Sequence, residues 1–292
     1  GYLKNSAFER LNGRLAMNYR PYSWFNTGFS MMGSHQKSNI AEGNASESNR
    51  YTNAFFFCRT IAPVYPVHKH NVDGSYLLDS NGDVQFDTGD NESRNQYLDR
   101  NIIYENQLNS NKTVRNSIYG SAYATLKFLD DFSFTVKLDG NEVDHEKRNY
   151  FNAVVGDGKG LNGMMQSYKY RTKNYTFQQQ LNWGRHFGEH SVSVLLGHEN
   201  FSYSYDYDYL YKTNQTFAGK DNASNFSTVA GSTGYSIDYR TESYLGRVRY
   251  NYLNRYNVEA SFRRDGSSRF SKQSRWGNFG SIGANWIISK EE

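Results

Sequence analysis

The chain has 292 residues, of which 37% are hydrophobic and 16% aromatic, and its formal net charge is +4. The charges are scattered and form no basic block, which argues against nucleic acid as a partner, and a single cysteine, Cys58, excludes an internal disulfide framework or a cysteine-based zinc site. No apolar run approaches the roughly 18 residues of a membrane-spanning helix. Low hydrophobicity together with 25 Tyr and 19 Phe favours many strands with one face in water.

Alternation of apolar and polar residues at period two predicts nine strands. In chain order they cover 11–20, 24–37, 118–128, 132–139, 175–183, 189–205, 244–252, 256–263 and 280–288. One face of each clearly alternating run carries no charge. The opposite faces carry the basic residues Arg14, Lys127, Lys137, Arg247, Arg249 and Arg263, among others. The pattern therefore predicts an antiparallel sheet with one apolar and one polar face.

The connections between the predicted strands alternate in length. Short ones lie near 21–22, 130–131, 184–188 and 253–254, and long ones cover about 38–112, 147–165, 206–235 and 265–275. Aromatic residues, including Trp24, Trp183 and Trp286, stand beside the short turns. This layout is typical of a transmembrane β-barrel with tight periplasmic turns, long extracellular loops and an aromatic belt, and it disfavours a soluble β-sandwich.

An open sheet edge is not tolerated in lipid, and nine strands that start outside and end in the periplasm would need a parallel closure. We therefore expect residues 1–292 to be part of one larger barrel domain. The signal peptide and any further domains are expected to lie outside these residues.

Four motifs near the end of the chain carry a family resemblance. They are Tyr-Leu-Gly-Arg (244–247), Arg-Asp-Gly-Ser-Ser-Arg-Phe (264–270), Arg-Trp-Gly (275–277) and Trp-x-x-Ser (286–289), and the stretch 62–89 matches in character as a long outer loop. With these motifs the chain resembles a barrel segment of the SusC/RagA-like TonB-dependent transporters of Bacteroidota.

The resemblance implies an importer in the outer membrane, embedded in outer-membrane lipid, whose plug fills a barrel of about 22 strands. It also implies a SusD-like surface lipoprotein as a lid, energy supplied by the TonB complex, and a glycan or peptide cargo. The plug domain and the TonB box are not expected within this chain. The alternative is a structural or adhesive outer-membrane barrel, or a passive porin.

The run 201–211 provides the candidate substrate-binding residues, Tyr203, Tyr205, Tyr207 and Tyr209, because aromatic rings beside carboxylates suit sugars. Continued alternation from Val192 turns these rings towards the lumen, whereas a β-bulge near Gly197 would turn them outward into an upper aromatic girdle. The girdle, or simple strand extension, is the favoured interpretation. The basic residues of the polar faces are expected to contact the plug or to set the field of the pore.

The stretch 263–270 suggests an outer-rim network of Arg264, Asp265, Gly266 and Arg269, with a turn at Asp265–Gly266 and both arginines free to pair with the aspartate. Asp79, Asn81 and Asp83 resemble a calcium loop, but the glycine is misplaced and no twelfth-position glutamate follows, which favours a type I′ turn at Asn81–Gly82. No metal site, cofactor or catalytic motif is predicted, and we expect the chain not to be an enzyme.

Overall fold

The computed structural model describes residues 4–40, 53–90, 94 and 96–291. Nine strands form one antiparallel sheet in which each strand pairs with the next along the chain. The strands are β1 (Ala7–Tyr22), β2 (Phe25–Asn39), β3 (Ser110–Phe128), β4 (Phe132–Phe151), β5 (Met164–Phe187), β6 (His190–Gln215), β7 (Phe226–Tyr252), β8 (Tyr256–Ser267) and β9 (Trp276–Trp286). The predicted nine-stranded antiparallel sheet is confirmed.

Four tight turns lie together at one end of the sheet, which we call the turn end. Leu129 and Asp130 join β3 to β4, Leu253 and Asn254 join β7 to β8, and all four have positive φ angles between 49° and 58°. Consecutive left-handed residues match the twist of the flanking strands, as in type I′ hairpins. Gly188, at φ +60°, begins the turn between β5 and β6. The short connections predicted at 130–131 and 253–254 are confirmed, whereas those predicted near 21–22 and 184–188 lie later, at 23–24 and 188–189, because β1 and β5 continue further.

At the opposite end, which we call the loop end, the strands extend beyond their predicted limits. The connection predicted at 206–235 is wrong, because β6 continues to Gln215 and β7 begins at Phe226. Tyrosine at every second position of 203–211 favours a strand, but its partner from 226 to 237 is mostly Ser, Thr and Gly and has no apolar face to detect. The connection at 147–165 shortens similarly to 152–163.

The connection between β2 and β3 folds into two short helices, α1 (Ala54–Thr60) and α2 (Ile102–Leu108). Asn53 and Asn101 cap them, since each side chain accepts hydrogen bonds from backbone N–H groups of the first turn. Together with 152–163, the described residues of this connection form what we call the outer cap. The two segments meet where the Gly156 N–H donates to Asp99 O at 3.0 Å.

Two short hairpin turns project from the outer cap. At the second, Asp79 Oδ1 accepts from the backbone N–H groups of Asn81 (2.8 Å) and Asp83 (2.9 Å), and Gly82 has φ +86°. The predicted turn is confirmed, but its type is not I′, because Asn81 does not have a positive φ. The Asp79 carboxylate is used to hold the turn itself.

Residues directly opposite each other in an antiparallel ladder lie on the same face of the sheet. One such row runs across six strands, through Phe134, Leu181, Leu196, Gly246, Phe262 and Gly280. The uncharged faces predicted from the individual runs join in this way into one continuous surface, which we call the apolar face. The charged positions of the same runs join into the polar face.

Away from the loop end, neither face of the sheet carries a hydrophobic core within the described residues. Among the described residues, the buried hydrophobic side chains belong to the outer cap or to the loop-end strand termini, such as Phe57, Met165 and Phe226. On the apolar face, Leu11 is 73% exposed and Ile282 is 82% exposed. Soluble proteins do not leave an apolar surface of this extent in water, so the architecture is that of part of a barrel wall. No helix in the described part of the chain is long and apolar enough to cross a membrane.

Two tryptophans mark the ends of the apolar face on β9. Trp286 lies at the turn end, its ring 6.3 Å from that of Tyr256, and Trp276 lies at the loop end opposite Gly266. Trp286 follows Trp276 by ten positions, which is about 33 Å along a strand and about 25 Å along the membrane normal at a tilt near 40°. This is the height of the apolar band of an outer-membrane barrel.

Candidate functional site

The ladder register places all six predicted lumen or plug-facing basic residues on the polar face. They are Arg14, Lys127, Lys137, Arg247, Arg249 and Arg263. Lys137 pairs with Asp139 at 2.8 Å, Arg249 pairs with Glu259, and Arg263 contacts both Asp265 and Glu199. The other three have no ion pair within the described part of the chain. The polar face is therefore a surface of mixed, partly neutralised charge.

The tyrosine run of β6 also lies on the polar face. The pairing of β6 with β5 continues past Gly197 without a register shift, and the one shift against β7 comes at Tyr211 and Lys212. The bulge that would turn the rings outward is absent from this region, and the girdle interpretation that depends on it is wrong. Gly197 serves packing instead, since a Cβ there would lie 2.8 Å from Leu245 Cγ.

Aromatic residues of four strands meet around this run. His145 of β4, Tyr170 of β5, Tyr207 of β6 and Tyr235 of β7 are consecutive cross-strand partners, with ring centroids 5.3, 5.2 and 5.2 Å apart. Neighbouring rows add Tyr168 beside Tyr209 at 4.8 Å and Tyr203 beside Tyr239 at 4.9 Å. We call the combined surface the tyrosine lattice; it consists of His145, Tyr168, Tyr170, Tyr203, Tyr205, Tyr207, Tyr209, Tyr235 and Tyr239.

Sequence reasoning identified four of these nine residues and missed the other five. The alternation Tyr168-Lys-Tyr170 was the signal available for β5, but only the strand register shows that it lies opposite Tyr207 and Tyr209. The predicted arrangement of rings beside carboxylates is also wrong, because Asp206 and Asp208 alternate with the tyrosines and therefore lie on the opposite face. The lattice is aromatic and hydroxylic, with little acidic character.

Polar groups surround the rings at the loop end of the lattice. Gln166 Nε2 donates to Tyr209 OH at 3.4 Å, Tyr168 OH donates to Gln166 Oε1 at 3.3 Å, and Lys147 Nζ lies 5.8 Å from the centre of the Tyr168 ring. Lys169 and Arg171 occupy the opposite face at this level, so the lattice lies beyond the apolar band. Burial raises the pKa of the Tyr168 and Tyr170 phenols, and both remain protonated hydrogen-bond donors.

The outer-rim motif is arranged differently from the prediction. Asp265 and Gly266 are not a turn but lie within β8, and the chain reverses at 268–275. Asp265 accepts from Arg263 Nε at 2.6 Å, whereas Arg264 and Arg269 lie over the rings of Trp276 and Tyr239. Gly266 continues the strand because the Trp276 ring covers it, and a Cβ would lie 2.9 Å from that ring.

No protein-family model matches the chain. It is 25% identical over its full length to the TonB-dependent receptor SusC of Bacteroides thetaiotaomicron, and 27% identical over its full length to the TonB-dependent receptor P39 of Formosa agariphila. The chain spans 29% and 26% of the lengths of these two receptors.

Among solved structures, the RagAB peptide transporter superposes with a TM-score of 0.75 at 15% identity, over 98% of this chain and 31% of that one. At this identity the superposition bears on the fold alone, and it supports assignment of the open sheet to a barrel wall. The sequence matches to SusC and P39 also extend over the whole of this chain. The resemblance to the SusC/RagA-like TonB-dependent transporters is confirmed, and the chain corresponds to part of their β-barrel.

Proposed function

We propose that this chain is part of the barrel wall of an active importer of the outer membrane, with the apolar face in lipid and the polar face towards the lumen. The observation that carries the proposal is the continuous apolar face with no core beneath it. Similarity to TonB-dependent receptors along the whole of this chain supports the proposal that energy is supplied through TonB. A plug domain, a TonB box and a SusD-like lipoprotein lid belong to the same proposal.

The tyrosine lattice is the proposed contact surface for cargo. The longest row, from His145 to Tyr235, crosses four adjacent strands at about 4.8 Å spacing and is about 15 Å wide, comparable to two or three sugar rings. Half-buried rings with protonated hydroxyls can stack on the apolar faces of sugars and hydrogen-bond their hydroxyl groups. This chemistry favours an oligosaccharide; the alternative cargo is a peptide.

Transport is tested with the full-length protein in its natural host. Mass spectrometry of the natively purified complex first identifies the bound oligosaccharide, which is then labelled. Its uptake should stop when the inner-membrane proton gradient is dissipated. The SusD-like lipoprotein should co-purify. Uptake that persists without the gradient would establish a passive porin, and an outer-membrane protein with neither uptake nor a lipoprotein partner would establish a structural or adhesive barrel.

Cargo contact is tested with the double variant Tyr170→Ala and Tyr207→Ala. Loss of two stacking rings, worth roughly 1.4 kcal/mol together, should weaken oligosaccharide binding by about tenfold. The matched control is Tyr175→Ala, on the same strand but on the apolar face. Equal losses in both variants would exclude the lattice as the contact surface, and binding of peptides in place of sugars would change the cargo class.

A further inference from the structure

A cleft of about 710 Å³ lies at the loop-end border of the apolar face. Its lining includes Tyr175, Phe177, Ser202, Arg240, Glu242 and Trp276. These residues belong to two adjacent cross-strand rows that continue the apolar face: one contains Phe177, Glu242 and Trp276, and the next contains Tyr175, Ser202 and Arg240. The cleft therefore opens away from the tyrosine lattice.

Two arginines without carboxylate partners, Arg240 and Arg275, line the cleft, and a third, Arg264, borders it over the ring of the lining residue Trp276. Arg240, Arg264 and Arg275 form no ion pair within the described residues, in contrast to Arg171 and Arg249, which do. The Arg264 guanidinium lies 5.0 Å above the Trp276 ring, and Arg275 Nε is buried with no hydrogen-bond partner among the described residues. Guanidinium groups of this kind suit the oxygens of a phosphate.

Glu242 is the carboxylate in the lining of the cleft, and it already has hydrogen-bonding partners within the protein. Its Oε1 accepts from Tyr244 OH at 2.6 Å and lies 3.2 Å from His198 Nε2. These contacts direct the carboxylate towards its own neighbours, and the two lining arginines, Arg240 and Arg275, outnumber it, so the net charge of the cleft lining is positive.

The position of the cleft along the membrane normal indicates which part of the membrane surrounds it. It lies level with Trp276, about 25 Å along the membrane normal from Trp286, and thus at the border between the apolar band and the outer aqueous phase. Phe262 and Leu196 continue the same face below it and are exposed. A molecule seated in the cleft has positive charge around its polar end and an apolar surface along the rest of its length.

We propose that the cleft docks the phosphate-bearing headgroup of an outer-leaflet lipid, whose acyl chains lie along the apolar face below. Arg240 and Arg264 hold the phosphate, and Trp276 and Tyr175 flank the headgroup at the interface. The proposal rests on the placement of the sheet in the outer membrane, given under Proposed function.

The test uses the full-length protein in detergent and native mass spectrometry with monophosphoryl lipid A. Wild type should bind this lipid at least fivefold more than its dephosphorylated form. The double variant Arg240→Gln and Arg264→Gln should lose at least fivefold occupancy. Its matched control is Arg247→Gln with Arg249→Gln, on the same strand as Arg240 but on the polar face, and it should retain wild-type occupancy within twofold.

Several results would overturn the lipid site. They are equal binding of the dephosphorylated lipid, equal loss in both double variants, equally tight binding of inorganic phosphate alone, or a change in oligomer mass without a change in lipid occupancy. Heat-dependent mobility on electrophoresis confirms that each variant retains its barrel. Absence of wild-type protein from the outer-membrane fraction would instead contradict the proposed function, so the two failures are distinguishable.

Discussion

The wall and the outer cap are stabilised in different ways. Side chains of the wall remain accessible on both faces, and its order comes from backbone ladders that continue through β1–β9. The outer cap contains its own small core around Phe57 and Ile102, together with buried charges. The effect of a substitution in the wall on stability should therefore depend on whether its face meets lipid or water. In the cap the effect should depend on the loss of buried packing and ion pairs.

The largest effect is expected in the outer cap, at the ion pair between Arg94 and Asp87. The charged atoms are 2.8 Å apart, and the side chains are only 1% and 5% exposed. Arg94→Met leaves an unpaired buried carboxylate, which should destabilise the cap by about 3–5 kcal/mol. Hydrogen exchange of the α1 amides measures the change.

The control for that experiment is Lys69→Met, which removes the half-buried partner of the exposed Asp90 and should cost less than about 1 kcal/mol. Unfolding of the wall should be unchanged in both variants. If Arg94→Met unfolded the wall as readily as the cap, the two regions would not be independent.

The wall itself can be tested with adjacent residues on opposite faces. Leu196 lies on the apolar face and Leu195 on the polar face of β6. Leu196→Arg places a charge near the middle of the apolar band and should lower the free energy of unfolding in lipid vesicles by about 2–4 kcal/mol. Leu195→Arg should cost far less, and equal losses would contradict the assignment of the two faces.

A smaller, pH-dependent effect is expected at Glu105 of α2. Burial raises the pKa of this carboxyl above its ordinary value, although Arg100 Nη1 lies 2.8 Å away and opposes the shift. The stabilisation from protonated Glu105 is fully present below the pKa of the unfolded chain and is lost as pH rises through the raised pKa. Protection of the cap amides should therefore fall with rising pH, and Glu105→Gln should remove this component; protection that increases with pH would reverse the sign.

The smallest effect is expected at the ion pair of Arg249 and Glu259 on the polar face. Both side chains are substantially exposed, at 55% and 41%. Glu259→Gln should change the free energy of unfolding by less than about 1 kcal/mol, and less still in high salt. A loss as large as that of Arg94→Met would mean that this part of the wall is buried by other groups in the whole protein.

Period-two patterning was sufficient to predict the nine strands and their faces, because the runs from 118–128 to 280–288 contrast apolar with polar positions. It failed from 206 to 235, because the partner of the tyrosine run, 226–237, is mostly Ser, Thr and Gly and has no face that stands out. The tyrosine lattice could be predicted only in part, since Tyr170 and Tyr235 meet Tyr207 through the register of three strands, which local sequence does not specify. The reversal at 268–275 was misplaced because an Asp-Gly pair normally indicates a turn, and here Trp276 covers the glycine.

The spacing of Trp276 and Trp286 also determines which bilayers this wall can occupy. With both rings held at interfaces about 25 Å apart, a thicker hydrocarbon layer must thin around the wall or the strands must tilt less, each at a modest cost per ångström of hydrophobic mismatch. The bacterial outer membrane is thinner than average, and in this respect it matches the wall. A protein with this spacing should reconstitute best into short-chain lipids and should deform the membrane around it in long-chain ones.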